Sequence, residues 1–340
     1  MKKIFLILIL LPFIGLSQEI NRTLLYDGNN RNFIIYIPQN YTGNNHVPLL
    51  FDFHGGNGTA SITTEMKAIA DTAGFIFVAP QALADPGDGG SFNWLHKAPT
   101  NHDDIYFVES IIDTLSSEYM INNDRIYIRG YSLGGEFVYE LACRLNHRIA
   151  AGAAVARTMQ QFQYDNCTPV HPTAIQTILG LADSISPYNG LVWGGVSYYV
   201  SADLTHSYWA TYNNTNINPT VIQIPDIDPF DGSTVERRSW LNGDNCVTVE
   251  ELKVIGGGHD WPGYFGNMDI DANIEIWNFV SKYDINGLIN CNLSAIQEFQ
   301  DTDKLIRIVD ILGREVSTKF NSPLFYIYES GRVSKKIILQ

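Results

Sequence analysis

Residues 125–137, RIYIRGYSLGGEF, run an apolar segment straight into Gly130-Tyr131-Ser132-Leu133-Gly134 and on into a helix-forming stretch. A serine between two glycines at a strand-to-helix junction has a definite chemical use. The glycines let neighbouring backbone come close, and the sharp turn leaves the hydroxyl exposed as a nucleophile. A serine hydroxyl attacks poorly until an imidazole takes its proton, and the imidazole needs a carboxylate to fix its tautomer and balance its charge. The chemistry would be acyl transfer, which also needs amide N–H groups aimed at a developing oxyanion.

Other chemically capable residues directly follow predicted strands. The Gly-rich stretch 54–58, HGGNG, comes after LLFDF; Asp183 lies in TILGLADSISPYNG; His259 lies in KVIGGGHDWPG. In a parallel sheet, ligands bind outside the carboxyl ends of the strands, so all of these fall on the functional edge. Ser132 is then the nucleophile, His259 the base and Asp183 the orienting acid. The Leu133 N–H and that of Gly55 or Gly56 are the oxyanion donors. Asp165 and Asp203 compete for the acid role. Of the eight histidines, only His54 and His259 both follow a strand and sit among glycines.

The elements that must position these groups alternate. Residues 31–38 read as an edge strand stopped by proline, and 47–56 as a buried strand running into a loop. Residues 63–74 are helical with Gly74 as the stop, and 75–80 form another buried strand. A Gly/Pro/Asp-rich loop spans 82–103, and Asp104 is placed to cap a helix over 105–119. The elbow strand and a helix to about 146 follow, then strands at 173–180 and 251–258 and a closing helix in DANIEIWNFVSKY. Strands alternating with helices imply a doubly wound, mostly parallel α/β sheet covered on both faces.

The chain has 340 residues, 45% of them hydrophobic, enough for one large domain and something small. Its net charge of −14, without a Lys/Arg block, argues against nucleic acid and against anionic membrane surfaces. Residues 1–17 read as a signal peptide: Lys2 and Lys3, an apolar run over 4–11 too short to span a bilayer, and small residues Gly15 and Ser17 before a cut. An exported chain makes Cys143, Cys167, Cys246 and Cys291 disulfide candidates with three possible pairings. Cys143 and Cys167, close in sequence and flanking one helix-loop segment, are the first pair; Cys246 with Cys291, or two free thiols, remain for the rest. Residues 226–236 and 269–275 resemble calcium loops but lack glycine where such a turn needs it. No zinc spacing and no phosphate-binding loop occur, and no metal or organic cofactor is expected.

Over residues 45–283 the chain resembles the secreted α/β-hydrolase esterases that group polyhydroxybutyrate depolymerases with feruloyl and acetylxylan esterases. The resemblance rests on PLLFDFHGG, ADTAGFIFVAPQ, FNW, the elbow segment, LAC, ADSISPYNG, YWATYNN, GGGHDWPG and IWNFV. It implies the same three roles for Ser132, Asp183 and His259, an oxyanion loop at 54–56 and a Cys143–Cys167 bond. It also implies a secreted enzyme acting on an ester substrate, polymeric or polymer-derived. Relatives commonly have His-Gly-Thr where this chain has Leu179-Gly180-Leu181, and a cysteine near Thr215-Asn216 that pairs with the equivalent of Cys246.

Composition shifts after about residue 287. Residues 289–300 read as a linker, and 301–340 as short strands resembling an abbreviated sorting signal of the type IX secretion machinery. The resulting expectation is a signal peptide at 1–17, an α/β-hydrolase esterase domain at 18–288 and a small β-rich sorting module, delivered outside the cell without stable membrane insertion. A small carbohydrate-binding module is the other reading of the tail. His54, Trp94, Trp193 and Trp261 are candidate substrate contacts, with Tyr198 and Tyr199 beside them on the expected rim. His96 and His102 are loop residues. A serine peptidase or a non-catalytic surface binder are the competing functions.

Overall fold

The computed structural model describes residues 18–85, 89–94 and 103–291, and in the tail 305–310, 314–316, 323–328 and 333–337. The signal-peptide residues, most of the linker, His96 and His102 lie outside them. Two units separate after Cys291.

The first unit opens with a hairpin, β1 (Gln18–Tyr26) and β2 (Asn29–Ile37). Its two-residue turn, Asp27-Gly28, has positive φ at both positions, the geometry that matches the twist of the flanking strands. Next come β3 (Val47–Phe53), α1 (Thr64–Ala73) and β4 (Ile76–Pro80). Thr63 caps α1 and Gly74 closes it in the left-handed conformation. A small hairpin, β5 (Leu83–Asp85) and β6 (Ser91–Asn93), precedes α2 (Asp104–Glu118), β7 (Ile121–Tyr131) and α3 (Leu133–Arg144). Then follow β8 (Ala151–Val155), α4 (Gln161–Asn166), β9 (Ala174–Gly180) and the hairpin β10 (Leu191–Trp193) with β11 (Val196–Tyr199). The unit closes with α5 (Ala202–Tyr212), β12 (Thr220–Gln223), β13 (Thr234–Trp240), β14 (Val249–Ile255), α6 (Ala272–Val280) and the short pair β15 (Tyr283–Asp284) and β16 (Gly287–Leu288).

Ten strands form one sheet in the order β1-β2-β4-β3-β7-β8-β9-β14-β13-β12. The six from β4 to β14 run parallel; β1, β2, β13 and β12 extend it through antiparallel pairings. Apolar residues of α2, α3 and α5 pack on one face, those of α1 and α6 on the other. Every residue of β8 and β9 is buried, as a central parallel strand requires. No helix among the described residues is long and apolar enough to cross a membrane.

The structure corrects several expectations. The 31–38 segment is not an edge strand: β2 lies between β1 and β4, and β1 takes the edge. The expected loop over 82–103 contains the β5–β6 hairpin. Asp103, not Asp104, caps α2 by accepting from the Ile105 amide. Asp104 is instead buried against Arg31, and such a charge is tolerable inside only when paired. Cys143–Cys167 and Cys246–Cys291 are both disulfides.

In the second unit β17 (Leu305–Val309), β18 (Pro323–Tyr328) and β19 (Val333–Ile337) form an antiparallel three-stranded sheet.

Candidate active site

The elbow forms where β7 meets α3. Ser132 holds φ 53° and ψ −119°, a conformation that costs an L-residue roughly 1–3 kcal/mol. Gly130 and Gly134 make the crossing possible. A Cβ on Gly130 would stand 2.2 Å from the Gly134 carbonyl oxygen, and one on Gly134 would stand 1.9 Å from that of Phe53. The Ser132 amide is tied at 2.9 Å to the Val155 carbonyl at the end of β8.

His259 lies four residues past β14. Its Nε2 is 2.9 Å from Ser132 Oγ, and its Nδ1 is 2.7 Å from Asp183 Oδ2. An ionised Asp183 makes Nδ1 the donor, which leaves the Nε2 lone pair to accept the serine proton. Asp183 lies three residues past β9, and its Oδ1 accepts the amides of Ile185 at 2.8 Å and Ser186 at 2.7 Å. Burial pushes the Asp183 carboxyl up, but the hydrogen bonds from His259, Ser186 and Ile185 outweigh it and hold the group below the ordinary carboxylate value. Backbone bonds from the Leu181 amide to Val254 in β14 and from the Ala182 amide to Gly257 join the Asp183 loop to the segment that carries His259. The Leu179-Gly180-Leu181 sequence therefore supports the aspartate with main-chain bonds. The Tyr131 hydroxyl donates to the His259 carbonyl at 2.6 Å, and burial pushes its phenol up to about 12.

Ser132, Asp183 and His259 thus come together. Asp165 accepts from Gln161 on the surface, and Asp203 lies 3.8 Å from Arg238; neither meets His259. Leu133 is the first residue of α3, where an amide has no carbonyl one turn back to bond. The 54–58 loop lies against the elbow. A Cβ on Gly55 would stand 3.4 Å from Ser132 Cβ, and one on Gly56 would stand 2.6 Å from a Leu133 methyl.

His54 braces that loop. Nδ1 bonds the Gly55 carbonyl at 2.7 Å, while Nε2 accepts the Ala82 amide at 3.2 Å beside Gln81. Burial lowers its pKa. Trp94 is not a rim residue. It is 3% exposed, stacks on Phe137, meets Phe53 edge-on and donates to the His54 carbonyl. Trp193 stands 73% exposed on the β10–β11 hairpin beside exposed Tyr198, whereas Tyr199 turns inward to Glu136.

Trp261 lines a cavity of about 270 Å³ that reaches the 54–58 loop, with Tyr131, Phe265, Tyr264 and Gly55 on its wall. Neither Ser132 nor His259 lines it, but Tyr131 precedes one in sequence and Trp261 follows the other. Its lining includes Arg129, whose Nε and one terminal nitrogen each donate to Asp52 at 3.0 Å and whose guanidinium lies 5.0 Å over the Trp261 ring. Three carboxylates, Asp52, Glu65 and Asp271, line it against the one guanidinium. Of the candidate contacts, the structure places Trp261 in this cavity, together with Tyr131, Phe265 and Arg129, which the sequence does not single out. The elbow contains Tyr131, yet nothing local in sequence announces a cavity built from four separate segments.

Among the described residues no cluster of three or more His, Cys, Asp or Glu side chains is placed to hold a metal ion. No protein-family model matches the chain. Feruloyl esterase B of Piromyces equi is 27% identical over 276 residues, 75% of this chain and 46% of its own length. The bifunctional acetylxylan esterase/xylanase XynS20E of Neocallimastix patriciarum is 26% identical over 275 residues, 78% of this chain and 35% of its own. The chain thus spans less than half the length of these two relatives. Among solved structures, the acetyl xylan esterase from Aspergillus awamori superposes with a TM-score of 0.51 at 12% identity, covering 77% of this chain and 98% of that one. The chain has the α/β-hydrolase fold.

Proposed function

We propose that this chain is a serine carboxylesterase acting on esters of a plant cell-wall polymer, with aromatic acyl groups favoured over acetyl. The observation that carries the reaction class is the hydrogen-bonded line from Asp183 through His259 to Ser132 at three strand ends. Ser132 Oγ attacks the ester carbonyl as its proton passes to His259 Nε2, and Asp183 stabilises the imidazolium. The tetrahedral oxyanion is held by the Leu133 N–H and by the Gly55–Gly56 backbone. Collapse expels the alcohol, which takes the proton from His259 and leaves an acyl-serine. Water, deprotonated by His259, repeats the steps and frees the acid.

The wall-ester assignment draws on the feruloyl and acetylxylan esterases named above. The acyl preference draws on the cavity. At about 270 Å³ it has room for about nine water molecules, so an acetyl group would leave most of it to solvent. Its aromatic wall suits a flat ring, and its excess of carboxylates disfavours retention of the free acid product.

The domain scheme belongs to the same proposal: residues 1–17 direct export, 18–288 carry the esterase and 301–340 pass the chain to the type IX machinery. Two disulfides fit an oxidising destination.

The test compares the full chain with Ser132→Ala on methyl ferulate, acetylated xylan and hydroxybutyrate oligomers. Serine-dependent hydrolysis with the highest kcat/KM on methyl ferulate is expected. Hydrolysis of the hydroxybutyrate oligomers alone would replace the wall-ester reading with a polyester depolymerase. Full turnover by a folded Ser132→Ala would refute the mechanism.

A further inference from the structure

Behind the nucleophile the fold buries a cluster that the reaction steps do not use. Glu136, on the first turn of α3, is 2% exposed and Arg157, just past β8, is 6% exposed. Their nearest approach is 3.9 Å, Arg157 Nε to Glu136 Oε2. Glu136 also accepts from the Gln160 side-chain amide, and from the Tyr199 hydroxyl at 2.9 Å. Arg157 lies 4.4 Å over the Tyr199 ring and donates at 2.9 Å to the hydroxyl of Ser186. Ser186, itself buried, donates its amide to Asp183 Oδ1, the oxygen that His259 does not use.

A buried ion pair is a poor source of stability, since well-packed apolar side chains of the same volume commonly do as well. Directional bonds fix geometry instead. Here a hydrogen bond from Arg157 to Ser186, and a 3.9 Å charge contact from Arg157 back to Glu136, run between the two elements whose separation matters. Glu136 stands one turn after the nucleophile, with its amide on the Ser132 carbonyl, and Ser186 stands three residues after the acid. We propose that Arg157 is a positioning residue: anchored on the nucleophile helix by Glu136 and Tyr199, it holds Ser186 and thereby sets Asp183 against His259. This rests on the esterase reading above. The same bridge ties the base of the β10–β11 hairpin, through Tyr199, to the acid loop.

The test is a double-mutant cycle in the full chain with Ser186→Ala, Arg157→Met and the pair, read as kcat and KM on p-nitrophenyl acetate. Ser186→Ala keeps the Arg157 and Glu136 charges paired, so it remains informative if Arg157→Met fails to fold. Displacing a catalytic group by a fraction of an ångström to 1 Å costs roughly 10- to 100-fold. Each single variant is therefore expected to lose about that factor in kcat with KM little changed, and the double variant to lose no more than the worse single. Arg31→Met breaks the separate buried Arg31–Asp104 pair and is expected to lower Tm while kcat stays at the wild-type value. Wild-type kcat in Ser186→Ala, or losses that multiply in the pair, would overturn the positioning role while leaving a Ser132-dependent esterase in place. Absence of Ser132-dependent turnover in the wild type would remove the esterase reading and this inference together.

Discussion

Asp183→Asn is the substitution in which the geometry makes the sharpest demand. Asp183 Oδ1 takes two amides, at 2.8 and 2.7 Å, and Oδ2 takes His259 Nδ1 at 2.7 Å. An asparagine has one acceptor oxygen and one donor NH2. With the oxygen towards Ile185 and Ser186 it keeps both main-chain bonds and turns its NH2 towards Nδ1. The imidazole must then carry its proton on Nε2, where it cannot accept from Ser132. The flipped amide restores the bond to His259 but sets NH2 against both N–H groups, and the buried Ser186 amide alone costs about 1–3 kcal/mol when left unpaired. The unproductive orientation therefore wins, by roughly tenfold for every 1.4 kcal/mol. Wrong tautomer and lost imidazolium stabilisation together predict a fall in kcat of about 10⁴-fold. Because both main-chain bonds survive, Tm should move little. The assay is steady-state hydrolysis of p-nitrophenyl acetate alongside thermal unfolding. A folded Asp183→Asn enzyme that keeps more than a tenth of wild-type kcat would refute the reasoning about tautomer and orientation.

Two further outcomes concern stability. Gly134→Ala drives a Cβ to 1.9 Å from the Phe53 carbonyl oxygen, backbone against backbone, so it should lose soluble folded protein or lower stability by more than about 4 kcal/mol; a native-like melt would contradict the tight elbow. Burial lowers the pKa of both His54 and His206. Between the folded value and the unfolded value near 6.5 the unfolded chain binds more protons, so stability is full above about pH 6.5 and falls as the pH drops below it. Tm measured from pH 8 to pH 5 should show that decline, and His206→Gln should reduce its slope.

That Ser132, Asp183 and His259 would meet was legible because each follows a strand and lies near glycines, a pattern written locally. Other features were legible only in part. Asp103 and Asp104 are adjacent and equally good caps by type; the choice fell to Asp103 because Arg31, from a distant strand, claims Asp104. The AGAAV of β8 has only one β-branched residue to mark a strand, and the TVERRSW of β13 carries charges because it lies outside the parallel core. The Asp27-Gly28 pair is a hairpin turn by residue type, and the edge strand β1 follows from it, though the polar QEINRT that precedes it carries no buried-strand signal. Trp94 shares a Gly/Pro-rich stretch that suggests a surface loop, but contacts with Phe53 and Phe137 draw it into the core. The Glu136–Arg157–Ser186 bridge joins segments with no common period, so only their meeting in space reveals it.

The central claim is that Ser132, and no other nucleophile, forms the acyl-enzyme. Its most direct measurement is mass mapping of the full chain after stoichiometric inactivation by an alkyl fluorophosphonate. One phosphonyl adduct per chain on the peptide bearing Ser132, absent from folded Ser132→Ala, is predicted. An adduct mapping to another residue, or undiminished esterase activity in the fully modified protein, would contradict the account.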